Sequence, residues 1–140
     1  MILQETLEKE RQRRNWKFLY QIEQDILLER ALVSMYQNEH IRNTLVFRGG
    51  TALNKLFLNP AARYSEDLDF VQLKSAPIGT TLGAIKQRMR WFLKDSTQKQ
   101  PSTNIGKGGV KILYTCATID GSAFVQLRCA THRQPLHLSR

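Results

Sequence analysis

Two short apolar runs rich in strand-forming residues, Leu45-Val46-Phe47 and Leu68-Asp69-Phe70-Val71, bracket the segment that most constrains how this chain can fold. The first run stops at Gly49-Gly50. From Thr51 to Phe57 the spacing becomes helical, with Ala52, Leu53, Leu56 and Phe57 available to pack, and Asn59-Pro60 closes that helix. Upstream, from Thr6 to about Asn38, Leu19, Ile22, Ile26, Leu27, Ala31 and Met35 recur at three- and four-residue steps, the mark of an amphipathic helix. The alternation Trp16-Phe18-Tyr20 marks a break in it or the start of its packed part, and the run Glu8 to Arg14 reads as a solvated helix face.

Downstream, Pro77 and Gly79 end the second strand, and a basic amphipathic helix spans roughly Thr81 to Lys94, carrying Lys86, Arg88, Arg90 and Lys94. Asp95 to Gly109 is polar and glycine-rich and reads as a flexible loop. Val110 to Ile119 and Ala123 to Leu127 are strand-like arms joined by the turn sequence Asp120-Gly121-Ser122. Helix, strand, helix, strand, helix and strand pair in that order predict an α+β (mixed α/β) domain, a small mixed sheet flanked by helices. At 140 residues the chain has the length of one domain, with a helical region at 6–40, a motif core at 45–71, the basic helix at 81–94 and a hairpin at 110–128.

Hydrophobic residues make up 41% of the chain, which excludes wholesale disorder. Lys and Arg number 21 against 12 Asp and Glu, a net charge of +9 that favours an anionic partner: nucleic acid, nucleotide or an acidic protein. Cys116 and Cys129 are the only cysteines and form no CxxC, so two reduced thiols in strands are expected rather than a disulfide framework or a zinc site. The N-terminus, Met1-Ile2-Leu3-Gln4-Glu5, runs straight into charges, leaving no apolar signal-peptide core, and no apolar run approaches membrane-spanning length. A soluble, cytoplasmic protein with no membrane partner is expected.

The chemistry of the motif core follows from its residue types. Glycines let the backbone turn sharply and approach a ligand closely. The free N–H groups opening the next helix favour an anion, and Thr51 adds a hydroxyl that can donate to a phosphate oxygen. Asp67 and Asp69 stand two apart at the edge of a strand, so both side chains lie on one face. Two carboxylates held together repel unless a cation sits between them. Mg²⁺ suits such a pair, since it takes one or two carboxylates and completes its shell with water and substrate phosphates. Alone, each half-motif reads better as a turn with a threonine cap or a pair of solvated aspartates; together they can converge on one nucleoside triphosphate (NTP).

Phe47-Arg48-Gly49-Gly50-Thr51-Ala52-Leu53, followed by Arg63-Tyr64-Ser65-Glu66-Asp67-Leu68-Asp69-Phe70, resembles the signature of the AbiEii/AbiGii-type toxin nucleotidyltransferases, within the polymerase-β-like nucleotidyltransferase superfamily. The likeness is dense over Leu45 to Val71 and weaker in the preceding helix, at Glu23-Gln24-Asp25 and Leu27-Leu28. It implies that Gly49, Gly50 and Thr51 bind the triphosphate and that Asp67 and Asp69 are the catalytic, metal-binding carboxylates. It further implies that Arg63 and Ser65 belong to the lead-in of the second motif, Arg63 bracing a carboxylate or phosphate. Lys55, one helical turn beyond Thr51, is within reach of the same phosphates or is a surface lysine. The implied reaction is Mg²⁺-assisted transfer of a nucleotide from an NTP to tRNA or another macromolecular acceptor, with a cognate antitoxin as protein partner. The basic helix at 81–94 would suit an RNA backbone, or is equally an ordinary amphipathic surface helix.

The likeness departs from the family pattern at its end. A third carboxylate, a Glu in a stretch of the type Glu-Ile-Asn-x-Arg, is expected after the hairpin. Here Val125 to Arg133 corresponds, and the acidic position falls near Arg128, which cannot ligate a metal and opposes one electrostatically. Asp120 is placed in the predicted turn. The chain also ends where the family usually continues into a mostly helical second half. Three readings follow from the residues: an active nucleotidyltransferase; a truncated or impaired domain of that fold that binds nucleotide, RNA or a partner protein; and an unrelated basic nucleic-acid-binding module.

Overall fold

The helical periodicity of residues 6–38 is interrupted once, where the charged run gives way to aromatic residues, and the structure separates two helices there. In the computed structural model, residues 2–14, 18–48, 67–93, 100–118 and 121–131 are described, with the backbone alone for 121–123. Helix α1 is Gln4–Arg11, α2 is Leu19–Tyr36 and α3 is Glu39–Thr44. The Gln21 side chain accepts a hydrogen bond from the Phe18 N–H at 3.1 Å at the start of α2, and the Asn38 side-chain Oδ1 accepts from the Ile41 N–H at 3.0 Å at the start of α3. Both satisfy backbone donors that a helix start leaves open.

Strands β1 (Leu45–Arg48) and β2 (Asp67–Gln72) fall where the apolar runs predicted them, and α4 is Gly79–Arg88, continued by a 3₁₀ turn at Arg90–Leu93. Strand β3 is Ser102–Gly106, β4 is Gly109–Thr118 and β5 is Gly121–Ala130. The strand β3 corrects the expectation of a flexible loop between Asp95 and Gly109. It lies at an edge of the sheet with four of its five residues exposed, so no apolar alternation announces it. The hairpin is longer than predicted: Gly121 and Ser122, expected in its turn, pair with Thr118 and Ala117. Asp120 lies outside the described residues.

The five strands form one mixed sheet in the order β1-β2-β5-β4-β3. Neighbours are antiparallel except β2 and β5, which run parallel. Leu68 and Phe70 of β2, Ile112 and Tyr114 of β4, and Val125, Leu127 and Cys129 of β5 point to one face and are buried. There the aromatic rings of Tyr36 and Phe47 meet Phe70, with centroids 6.2 and 5.5 Å away, and Phe92 meets Tyr114 at 5.2 Å. The described helices layer on this face, giving the small α+β fold expected. No described helix is long and apolar enough to cross a membrane.

Helix α2 is buried from Ile22 to Leu28 without a break, so its polar residues must be satisfied inside. The Glu23 carboxylate accepts from the Ile2 N–H at 3.2 Å, and the Gln24 amide donates to the Phe124 carbonyl. Asp25 pairs with Arg14, whose guanidinium also meets Glu10 at 3.1 Å and Glu29 at 2.9 Å. The charged run is therefore not uniformly solvated: the Arg14 side chain is only 13% exposed and ties α1 to α2. Cys116 and Cys129 are free and buried, as expected, and burial pushes both thiols up to about 12.

The β3–β4 hairpin turns on a glycine. Gly109 has φ +153°, and a Cβ there would stand 2.2 Å from the Cys129 carbonyl oxygen and 3.0 Å from the Ala130 Cα. Only glycine lets β4 approach β5 so closely at this end. Gly109→Ala is expected to lower stability by about 2 kcal/mol or more in urea denaturation, since backbone rather than a flexible side chain must give way. Gly83→Ala, at an exposed position of α4 with nothing within 4 Å, is expected to raise stability by up to about 1 kcal/mol.

Candidate active site

Strand β2 begins at Asp67, one residue before the predicted run, so both aspartates are held within the strand. Because Leu68 and Phe70 turn into the core, Asp67 and Asp69 turn to the opposite face, each half-buried. No described helix packs there. The sheet register then sets their neighbours. Arg48 of β1 lies opposite Asp69, Asp69 opposite Arg128 of β5, Arg128 opposite Lys111 of β4, and Lys111 opposite Asn104 of β3. Residues directly opposite one another share a face. One polar row therefore crosses the whole sheet, with three cations and a single carboxylate among its five residues. A groove of about 560 Å³ runs along it, floored by Asp69, Arg128 and Lys111 and bounded at one end by the glycines of the β3–β4 hairpin.

The Arg128 guanidinium reaches out of this row towards Asp67. Nη2 stands 3.9 Å from Asp67 Oδ2, an ion pair beyond hydrogen-bond range, with side chains 48% and 35% exposed. Gln126 lies opposite Asp67 in the parallel register. With its amide turned so that the oxygen faces the guanidinium, it accepts from Arg128 Nε at 2.6 Å and Nη2 at 3.1 Å. Desolvation raises the Asp69 carboxyl above its ordinary pKa. Arg128 and Arg48 act to lower it and Asp67 to raise it, and the balance stays upward.

Two half-buried carboxylates on one face, one of them already costly to ionise, match what Mg²⁺ takes when phosphate oxygens complete its shell. The pair thus fits one divalent ion. Strand β5 offers no carboxylate to a second: Gln126 faces Asp67 and Arg128 faces Asp69. Among the described residues no cluster of three or more His, Cys, Asp or Glu forms a metal site.

Of the other sequence-predicted site residues, Gly49, Gly50, Thr51, Lys55, Arg63 and Ser65 lie outside the described residues. Arg48, which immediately precedes Gly49 in the chain, is the residue opposite Asp69. One cation of the basic helix, Arg88, is engaged in the fold. Arg88 donates through Nε to the Ser34 carbonyl at 2.8 Å and also to the Gln37 side chain, while Ser34 Oγ donates to the Arg88 carbonyl at 3.0 Å. It pins α4 to α2, in the layer on the far side of the sheet from the aspartates. Lys94 lies outside the described residues. The open-face cations Arg48, Lys111 and Arg128 were not singled out as ligand-binding groups by sequence, because only the pairing of distant strands aligns them.

The family model described as nucleotidyl transferase AbiEii toxin, type IV toxin–antitoxin system, matches residues 30–129. This span runs from α2 to the end of β5 and contains every residue of the polar row. No curated protein matches the chain.

The raised Asp69 pKa carries a signed consequence for stability. The folded state holds the Asp69 proton more tightly than the unfolded state does, which favours folding below the unfolded pKa and is lost as pH rises through the folded one. At neutral pH the ionised carboxylate is borne at a cost. Asp69→Asn is therefore expected to raise the thermal midpoint at pH 7, with the difference from wild type shrinking as the buffer is taken below the carboxylate range.

Proposed function

The chain belongs to the AbiEii nucleotidyl transferase toxin family of type IV toxin–antitoxin systems, and on that footing we propose that it is a metal-dependent nucleotidyltransferase that moves a nucleotide from an NTP to an RNA acceptor such as tRNA. The observation that carries the proposal is the placement of Asp67 and Asp69 together on the open face of β2, beside the residue that leads into Gly49-Gly50-Thr51. In this reading Asp67 and Asp69 hold Mg²⁺, which supplies charge neutralisation on the phosphates when bound. Gly49, Gly50 and Thr51 cradle the triphosphate through backbone N–H groups and the threonine hydroxyl, with Arg63, Ser65 and Lys55 supporting it. Arg48, opposite Asp69, contributes positive charge at the same place.

The transfer itself is an in-line displacement. An acceptor hydroxyl oxygen forms a bond to the α-phosphorus, the bond to the bridging oxygen breaks, pyrophosphate leaves with the electron pair, and the hydroxyl proton passes to water. What the protein contributes is alignment and charge. The cytoplasm, where NTP and tRNA meet, is the proposed place of action, and a cognate antitoxin is the proposed protein partner.

A second reading has one observation in its favour. Arg128 stands opposite Asp69 where a carboxylate was expected, which suits a domain of this fold that binds nucleotide, RNA or a partner without turning over.

Incubation with each labelled NTP, Mg²⁺ and total tRNA separates the two. The first reading expects label transfer that falls by about 100-fold or more in Asp67→Ala and Asp69→Ala. Label transfer that survives both substitutions contradicts the site assignment. Absence of transfer, with Mg²⁺-dependent nucleotide binding lost in Asp69→Ala, supports the second reading.

A further inference from the structure

Arg128 is more than a missing acid. It faces Asp69 across the parallel pair, reaches to 3.9 Å from Asp67, and is steadied by the Gln126 amide. Lys111, of like charge, stands opposite it on the side away from the aspartates. A guanidinium so placed supplies part of the neutralisation that two neighbouring carboxylates require. We propose that Arg128 is the resident counter-ion of the Asp67/Asp69 pair and sets its affinity for divalent cations by competing for the same oxygens.

The inference rests on the reading of Asp67 and Asp69 as the cation-binding pair. It adds that the affinity of that pair is held down from β5. The competition is local, because an ion pair at this distance and exposure acts strongly on its immediate partner and is screened beyond about a Debye length. Removing Arg128 should therefore act far more than removing Lys111, which lies one strand further from the carboxylates. Among residues at position 128, divalent binding should be weakest with arginine and grow as the charge there falls from positive through neutral to negative.

Direct titration with Mn²⁺, reading free ion by its electron paramagnetic resonance signal, tests this without any need for turnover. Wild type, Arg128→Gln, Arg128→Glu, Lys111→Gln, Asp67→Ala, Asp69→Ala and the double variant Arg128→Gln with Asp69→Ala are compared, with thermal melting to confirm that each is folded. Arg128→Gln is expected to bind Mn²⁺ about tenfold more tightly than wild type, Arg128→Glu more tightly still, and Lys111→Gln within about threefold of wild type. The double substitution Arg128→Gln with Asp69→Ala is expected to lose the gain. If Arg128→Gln binds no more tightly than wild type while Asp69→Ala abolishes binding, the counter-ion role is overturned and the carboxylate site stands. If Mn²⁺ binding persists unchanged in Asp69→Ala and in Asp67→Ala, the carboxylate site is itself overturned, and the counter-ion role with it.

Discussion

Strands β2 and β5 lie side by side and run the same way, and this parallel pairing decides what the open face of the sheet presents. Parallel neighbours cannot be joined by a tight turn, so the chain between them builds α4, the 3₁₀ turn, β3 and β4 before β5 returns to its place. The register is fixed by chemistry on both faces. Leu68, Phe70, Leu127 and Cys129 go inward, while Asp67, Asp69, Gln126 and Arg128 stay outward. A slip of one residue in either strand would bury charge and expose the core residues, a cost that no other part of the sheet could offset.

The helical layer braces this register from behind. The Gln24 amide in buried α2 holds the Phe124 carbonyl at the head of the stretch leading to Arg128. The Tyr36 hydroxyl donates to the Leu45 carbonyl at 3.0 Å, fixing the start of the strand that carries Arg48. Both bonds link one helix to strands on either side of β2. The polar residues inside α2 therefore do what apolar packing alone would not: they fix where along each strand the helix sits.

Much of this was legible in the sequence, and the failures have physical causes. The apolar runs at Leu45-Val46-Phe47 and Leu68-Asp69-Phe70-Val71 are strands because one face of each is buried, so local pattern sufficed. Strand β3 escaped notice because its residues gain order from pairing with β4 rather than from burial. Arg88 looked like one more solvated helix charge, yet it serves to join two helices. The aspartate pair could be read from its spacing, and the absence of a third acid from the likeness to the family. The row from Arg48 to Asn104 could not, since it exists only through four strand registers that bring distant residues together.

The proposed reaction requires that a divalent ion and a nucleotide meet at the aspartates of β2. Crystals grown with Mn²⁺ and an NTP analogue blocked between its α and β phosphates would show this directly through anomalous scattering. The expected result is a peak about 2.2 Å from carboxylate oxygens of Asp67 and Asp69 and in contact with the triphosphate. An ordered nucleotide whose metal lies away from both aspartates would contradict it.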